Sequence, residues 1–515
     1  MTRYARLLAA LLLTAGLCAP AARQTGTKLD VSLRARALAP AGTSRVIVRT
    51  ASPDLAVRRI RDAGGIVRRR LQAADSVSAE VPDRALEALA GRPEIAGISL
   101  DRPVVGTAET AAATVGARWV QDSLGVDGTG ISVATIDSGI AAAHDDLTPQ
   151  RIVHFADFVN ALPSPYDDYG HGTHVAGIIA GNGYDSAGAE KGIAPGATLV
   201  VLKALDATGG GYISNVISAL DYAIANRGTY NIRVINLSVA AGVYESYNTD
   251  PLTLAARRAV EAGIVVVAAA GNFGLSAQGS AQYSGITAPG NAPWVLTVGA
   301  SNDMGTVDRA DDIVAAFSSR GPSALDGAPK PDLVAPGVNV ESTTDPGSAL
   351  YATHPRSRIW GSVRTASPPY LSLSGTSMAA PVVTGTVALM LQANPSLSPA
   401  DVKAILQSTA QRSDKFDSAT QGAGFLDARA AVELARRIAT DPGARPERTS
   451  AVDPGIATCT EDPSNCGAAG TATGDGQLLT GGPDGRVDGA AIREVADDDA
   501  EAAVETRLSG RRGPR

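Results

Sequence analysis

The sequence predicts an α/β fold, a parallel sheet with helices on both faces. Apolar, β-rich runs alternate with helical stretches: Leu199-Val200-Val201-Leu202, then residues 213–225, then Val234-Ile235-Asn236-Leu237-Ser238. That alternation is the pattern of strand–helix–strand units. Two further runs, Gly130-Ile131-Ser132-Val133-Ala134-Thr135-Ile136 and Ile264-Val265-Val266-Val267-Ala268-Ala269-Ala270, are almost wholly apolar, as strands covered on both faces must be. The 55 glycines and 30 prolines supply the many turns that such a fold with long loops needs.

The first of these runs ends at Asp137, in Ile136-Asp137-Ser138-Gly139. Further on lie His171-Gly172-Thr173-His174-Val175-Ala176-Gly177 and Ser374-Gly375-Thr376-Ser377-Met378-Ala379-Ala380-Pro381. Taken singly these are a turn and two loops. Taken together they hold Asp, His and Ser in order, each among small residues. A serine hydroxyl needs a base to take its proton as it attacks a carbonyl carbon. Histidine titrates near neutrality and can return that proton to the leaving amine. A buried carboxylate holds the imidazole in the right tautomer. The expected roles are Asp137 as orienter, His171 as general base and Ser377 as nucleophile. Helices are expected to open at His171 and Ser377, with Pro381 in the first turn of the second. Residues 382–391 continue it as a mostly apolar, buried helix.

The chain order Asp…His…Ser is that of subtilisin, and the chain resembles the subtilisin-like serine proteases. Phe317-Ser318-Ser319-Arg320-Gly321-Pro322 and Lys330-Pro331-Asp332-Leu333-Val334-Ala335-Pro336-Gly337 add to the likeness. The resemblance implies that the Asn272 amide and the Ser377 backbone N–H stabilise the oxyanion. It implies an extended peptide added between Gly209-Gly210-Gly211 and Ser238-Val239-Ala240. Ala270, Gly271 and Thr287 would line the primary pocket. Val239 and Ala240 depart from the Ser-Leu-Gly usual in the family, and many relatives have glycine at Thr287. The expected pocket is therefore shallow and takes small or medium apolar side chains. Asp146 matches a carboxylate that often ligates structural calcium in the family, with the loop Asn182-Gly183-Tyr184-Asp185-Ser186 as a source of oxygens. No cofactor is implied for catalysis.

Four regions are expected. Residues 1–22 carry Arg3 and Arg6, an apolar run from Leu7 to Cys18 and then Ala19-Pro20-Ala21-Ala22, the pattern of a secretory signal. Acylation at Cys18 is the alternative, disfavoured by the bulky Leu17 before it. Residues 30–105 read as a small α+β domain, with a strand at Ser44–Arg49, a short helix capped by Asp83 and a strand at Ile95–Leu100. They resemble the inhibitory propeptide of subtilases. Between Lys28 and Val104 there are 14 Lys and Arg against 9 Asp and Glu, while the whole chain carries −7. A basic prosegment would be drawn to an acidic enzyme, though the arginines also read as a solvated face. Residues 115–438 form the peptidase domain. Residues 440–515 are rich in Gly, Ala, Asp and Thr and are expected to be disordered.

In an exported protein a Cys459–Cys466 disulfide is plausible. Maturation is expected between the Ile95–Leu100 strand and Thr114, where an Ala/Thr-rich linker reads as exposed. Residues 343–373 read as an insertion before the nucleophile. His144 and His154 read as ordinary loop or surface residues, and His174 as packed beneath the site. No segment after the signal reads as a membrane span, and the acidic balance argues against nucleic acid. The function read from the sequence is a secreted, monomeric endopeptidase of proteins and peptides, held as a zymogen by its own propeptide, free or attached to the cell envelope. A narrow processing protease and a catalytically silent binding protein on the same fold are the alternatives.

Overall fold

The computed structural model describes residues 28–446, apart from residues 30, 72–75, 101–106, 149 and 277, together with residues 486–487. The signal sequence, Cys459 and Cys466 lie outside the described residues, as does almost all of the tail. The chain divides into two units, Met1–Val104 and Val105–Arg515.

The first unit is a four-stranded antiparallel sheet in the order Ile66–Leu71, Ser76–Pro82, Thr43–Arg49, Gly97–Leu100. The two strands read from the sequence are present, the second shortened at its start. Pro53–Asp62 adds a helix whose Ala56, Val57 and Ile60 face the core. Asp83 does not cap the helix that follows it. Its carboxylate instead accepts from Gly42 N–H at 3.0 Å and Ser44 Oγ–H at 2.6 Å, and these donors hold it below the usual carboxylate range.

The second unit is built on an eight-stranded sheet. Its main path runs Ile313–Val314, Leu296–Asn302, Val265–Ala269, Ile232–Leu237, Ser132–Asp137, Thr198–Lys203, Ile152–Asp157, and Leu333–Pro336 pairs beside Leu296–Asn302. Every pairing is parallel except that of Ile313–Val314. Side chains alternate across a strand, so the sheet has two apolar faces. Val133, Leu199, Val201 and Val267 join a core with the helices His171–Ala180, Thr376–Ala393 and Ala428–Thr440. Ala134, Ile136, Val200 and Val266 join the opposite core with Ile213–Ala225 and Pro251–Glu261. Asp137 lies four residues after Val133, and the same alternation aims it toward the His171 helix. Thr376–Ala393 is long and apolar enough to cross a membrane, but 89% of it is buried inside the protein, as a core helix is.

Two expectations fail here for physical reasons. Thr107–Thr114 is a helix and not an exposed linker. Alanine is the best helix former, and Ala111 and Ala112 are buried. Pro381 is the sixth residue of its helix, beyond the first turn. A proline there cannot donate to the carbonyl four residues back. That carbonyl belongs to Ser377, and it accepts from Ser238 Oγ–H instead, at 2.9 Å.

Candidate active site

The Ser132–Asp137, Ile232–Leu237 and Val265–Ala269 strands are parallel and adjacent. Their carboxyl ends therefore deliver Asp137, Ser238 and Asn272 to one edge of the sheet, the edge where α/β folds bind ligands. Asp137 and His171 are both fully buried, and His171 Nδ1 lies 2.7 Å from Asp137 Oδ1. The same oxygen accepts from Ser138 N–H at 2.7 Å. A carboxylate on Nδ1 leaves Nε2 as the basic nitrogen of the ring. Ser377 sits in the first turn of its helix, and its Oγ–H donates to the Ser238 carbonyl at 3.3 Å. Asn272 Oδ1 accepts from Thr376 N–H at 3.0 Å and Thr376 Oγ–H at 2.9 Å. Those two bonds fix the side-chain amide beside the nucleophile. The Ser377 N–H belongs to the first-turn amides that have no intrahelical acceptor.

Several supporting residues carry no sequence signal of their own. Asp167 is buried and accepts from Ser138 Oγ–H at 2.8 Å, Gly170 N–H at 2.7 Å, Thr173 N–H at 2.8 Å and Thr173 Oγ–H at 2.6 Å. It ties the turn after Asp137 to the start of the His171 helix. Lys203 is fully buried and donates to Asp168 Oδ1 at 2.6 Å and to the carbonyls of Ser138 and Leu205. A lysine closing the apolar run Thr198–Lys203 reads as a solvated strand end. Only the fold reveals that it holds the Asp137 turn.

His174 lies beneath the site, where its Nε2–H is shared by the carbonyls of Leu371 at 2.9 Å and Val340 at 3.1 Å. Burial pushes its pKa down to about 3. Below the ordinary value of 6.5 the unfolded chain gains a proton here and the folded one does not. Stability contributed by His174 is thus complete above that value and is lost as pH falls toward 3. The expected slope reaches about 1.4 kcal/mol per pH unit, one proton's worth. Thermal midpoints of His174→Gln and the parent between pH 7 and 4, expressed as free energies, check this: the parent should fall more steeply by that amount.

His144 lies in a loop, as expected, while His154 lies in the strand Ile152–Asp157, and both are partly buried. His154 stacks against Tyr222 and Tyr230, with ring centroids 5.3 and 4.9 Å away. His144 Nε2 donates to the Pro369 carbonyl at 2.8 Å.

The expected substrate edges are both present. Gly209 has φ +74, and a Cβ there would meet the Tyr169 ring, so glycine is required. Gly211–Tyr212 is a short strand paired antiparallel with Arg486–Val487; these two residues are the described part of residues 447–515. Gly210 and Ser238 are buried, and Val239 is 2% exposed within the core beneath the sheet. Val239 therefore fills the core and does not shape the groove. Ala270 and Thr287 are buried, and a Cβ on Gly271 (φ +101) would meet Thr287 Cγ2 at 2.8 Å. The Thr287 methyl occupies space that a glycine would leave open.

The insertion packs close to this site. Its helix Ala349–Thr353 places the N–H groups of Ala349 and Leu350 on the carbonyls of Asp168 and Tyr169, both at 3.0 Å. Its last strand, Tyr370–Leu373, leads directly into Ser374. Asp146 is fully buried, and its two oxygens accept from Asp185 N–H at 2.9 Å and Tyr370 O–H at 2.8 Å. The third polar group of this cluster is the His144 imidazole. Calcium takes six to eight oxygen ligands, carboxylates and carbonyls alike, and the side chains of this cluster supply two carboxylates toward that number.

A parallel α/β sheet that brings Asp, His and Ser to one edge is the architecture of a serine hydrolase. Comparison with known proteins fixes the family. Residues 128–424 match the subtilase family, Peptidase S8. The chain is 38% identical over 362 residues to the serine protease AprX of Bacillus subtilis (strain 168), covering 68% of this chain and 77% of that one. It is 32% identical over 379 residues to subtilisin E of the same strain, covering 73% and 85%. Among solved structures, a cold-adapted subtilisin-like serine proteinase aligns at 29% identity and a TM-score of 0.43, covering 58% of this chain and 89% of that one. The chain belongs to the subtilase family and is a serine endopeptidase acting on proteins or peptides.

Proposed function

We propose that this protease is exported and made as a zymogen, and that Asp137, His171 and Ser377 are its catalytic triad. The observation that carries the reading is the fully buried Asp137–His171 pair at 2.7 Å, at the sheet edge where the Ser377 helix begins. In the first step Ser377 Oγ turns from the Ser238 carbonyl and attacks the scissile carbon, while His171 Nε2 takes its proton. The Asn272 amide and the Ser377 N–H receive the negative charge on the carbonyl oxygen. His171 then gives its proton to the departing amine, leaving an acyl ester on Ser377. Water, deprotonated by His171, hydrolyses that ester. Asp137 stays ionised and stabilises the imidazolium. The steps need no cofactor.

Residues 30–105 act as the prosegment in this reading. A compact, basic first unit ending at Val104 supports it. With Thr107–Thr114 helical, this reading has the maturation cut fall before that helix, within residues 101–106. Ser377→Ala expressed in a protease-deficient host should accumulate uncut, while the parent appears shortened, with an N-terminus read by sequencing within or next to that segment. Normal processing of Ser377→Ala in that host would sink the assignment.

The Thr287 methyl supports a shallow primary pocket. A series of peptide p-nitroanilides should show Ala and Leu preferred over Phe at the residue before the cut, and Thr287→Gly should raise kcat/KM for Phe. A parent that already prefers Phe contradicts the pocket reading.

A further inference from the structure

We propose that the tail segment Arg486–Val487 is an internal ligand of the substrate groove, a competitor that a peptide must displace even after the first unit is gone. The proposal rests on the reading of Gly209–Gly211 as a substrate edge. Among the described residues, Gly211–Tyr212 pairs with no strand of the main sheet. Its one strand partner is Arg486–Val487, antiparallel, with Val487 opposite Gly211 and Arg486 opposite Tyr212. Both strands belong to the second unit.

The turn before this strand decides which backbone groups face the tail. Asp206 N–H donates to the Gly210 carbonyl at 2.7 Å, and Gly210 N–H donates to Asp206 Oδ1 at 3.2 Å. The backbone groups of Gly210 are thus satisfied inside the turn. Successive residues of an extended strand present these groups to opposite edges, so those of Gly211 face outward. Backbone N–H and C=O groups at a free edge form a template for another strand. Val487 is the residue that meets them, and a substrate peptide must use the same two groups.

The direction of the tail is that of a substrate. Gly209 packs against the Tyr169 ring, whose centroid lies 6.4 Å from that of His171. Gly209 therefore marks the end of the edge nearer the triad, and Tyr212 the far end. The tail passes Tyr212 with Arg486 and then Gly211 with Val487, so it runs from N to C toward His171. A peptide awaiting cleavage takes the same course, because the residues along the edge precede the carbonyl that is attacked. Residues 447–485 tether the segment to the domain. A tethered segment acts at an effective concentration that reaches the millimolar range for short flexible linkers, so a pairing too weak to hold a free peptide still occupies the groove.

The test measures peptide binding to the full chain carrying Ser377→Ala, which prevents self-digestion. A recognition site for a sequence-specific protease, placed within residues 101–106, lets the first unit be removed with the tail kept. Two fluorescent probes are used: a tetrapeptide of Ala and Leu, and a peptide of residues 482–491. Val487→Pro removes the N–H that faces Gly211 and lies outside both packed cores. It should tighten binding of each probe by about fivefold or more, since the groove is no longer occupied by the tail. The two probes should displace one another, and the tail probe carrying the same substitution should bind at least about fivefold more weakly. Equal dissociation constants for the tetrapeptide with and without Val487→Pro overturn the tail's part and leave the substrate-edge reading standing. A tail probe that binds without displacing the tetrapeptide also overturns the proposal. Failure of the tetrapeptide to bind either chain overturns the edge reading, and the proposal with it.

Discussion

Ser377→Ala is expected to lower kcat by about 10⁶. Removing the nucleophile of a serine protease costs about as much as removing the whole triad, because the three residues act as a unit. What survives is the rate from the oxyanion donors and binding alone, about 10³–10⁴ over water. The substitution trims one hydroxyl and breaks a single 3.3 Å hydrogen bond to Ser238, so the fold should persist. The assay must follow removal of the first unit by another protease, so that the parent and the variant are compared in the same processed form. KM for a peptide p-nitroanilide should change little. A fall of less than about a hundredfold would mean that another group performs the attack.

Asn272→Ala is the second large effect. It should lower kcat by about 10²–10³, the magnitude typical of one oxyanion donor in subtilisin-type sites. The donor acts on charge that develops in the transition state, so kcat and kcat/KM should fall together. Asn272 also accepts two hydrogen bonds from Thr376. Asn272→Asp keeps those acceptors and removes the donor. It should be at least as slow as Asn272→Ala, whereas a purely structural role would restore activity.

Much of this was legible in the sequence because the chemistry is written in short, local motifs. A strand ending in Asp137, a helix opening at His171 and one opening by Ser377 each have a local signature, and the parallel sheet follows from their alternation. The supports were not legible, since each depends on residues far apart in the chain. Asp167 reads as one more loop carboxylate, yet four donors meet on it. His144 reads as one more loop or surface residue until Pro369, 225 positions later, is placed against it. Pro381 misled for a related reason. Its cost as a helix-interior proline is offset by Ser238 Oγ–H, which takes the freed Ser377 carbonyl. The Thr107–Thr114 helix was missed because alanine and threonine were read as linker composition, and burial of Ala111 and Ala112 decided otherwise.

The central claim is that Ser377 is the nucleophile. Covalent labelling tests it most directly. The mature parent enzyme treated with phenylmethylsulfonyl fluoride should lose activity in step with the uptake of about one sulfonyl group per chain, and peptide mapping by mass spectrometry should place that group on Ser377. The reaction needs His171, so His171→Ala should resist the label. Inactivation with the label on a different serine, or full activity with Ser377 completely sulfonylated, would contradict the account.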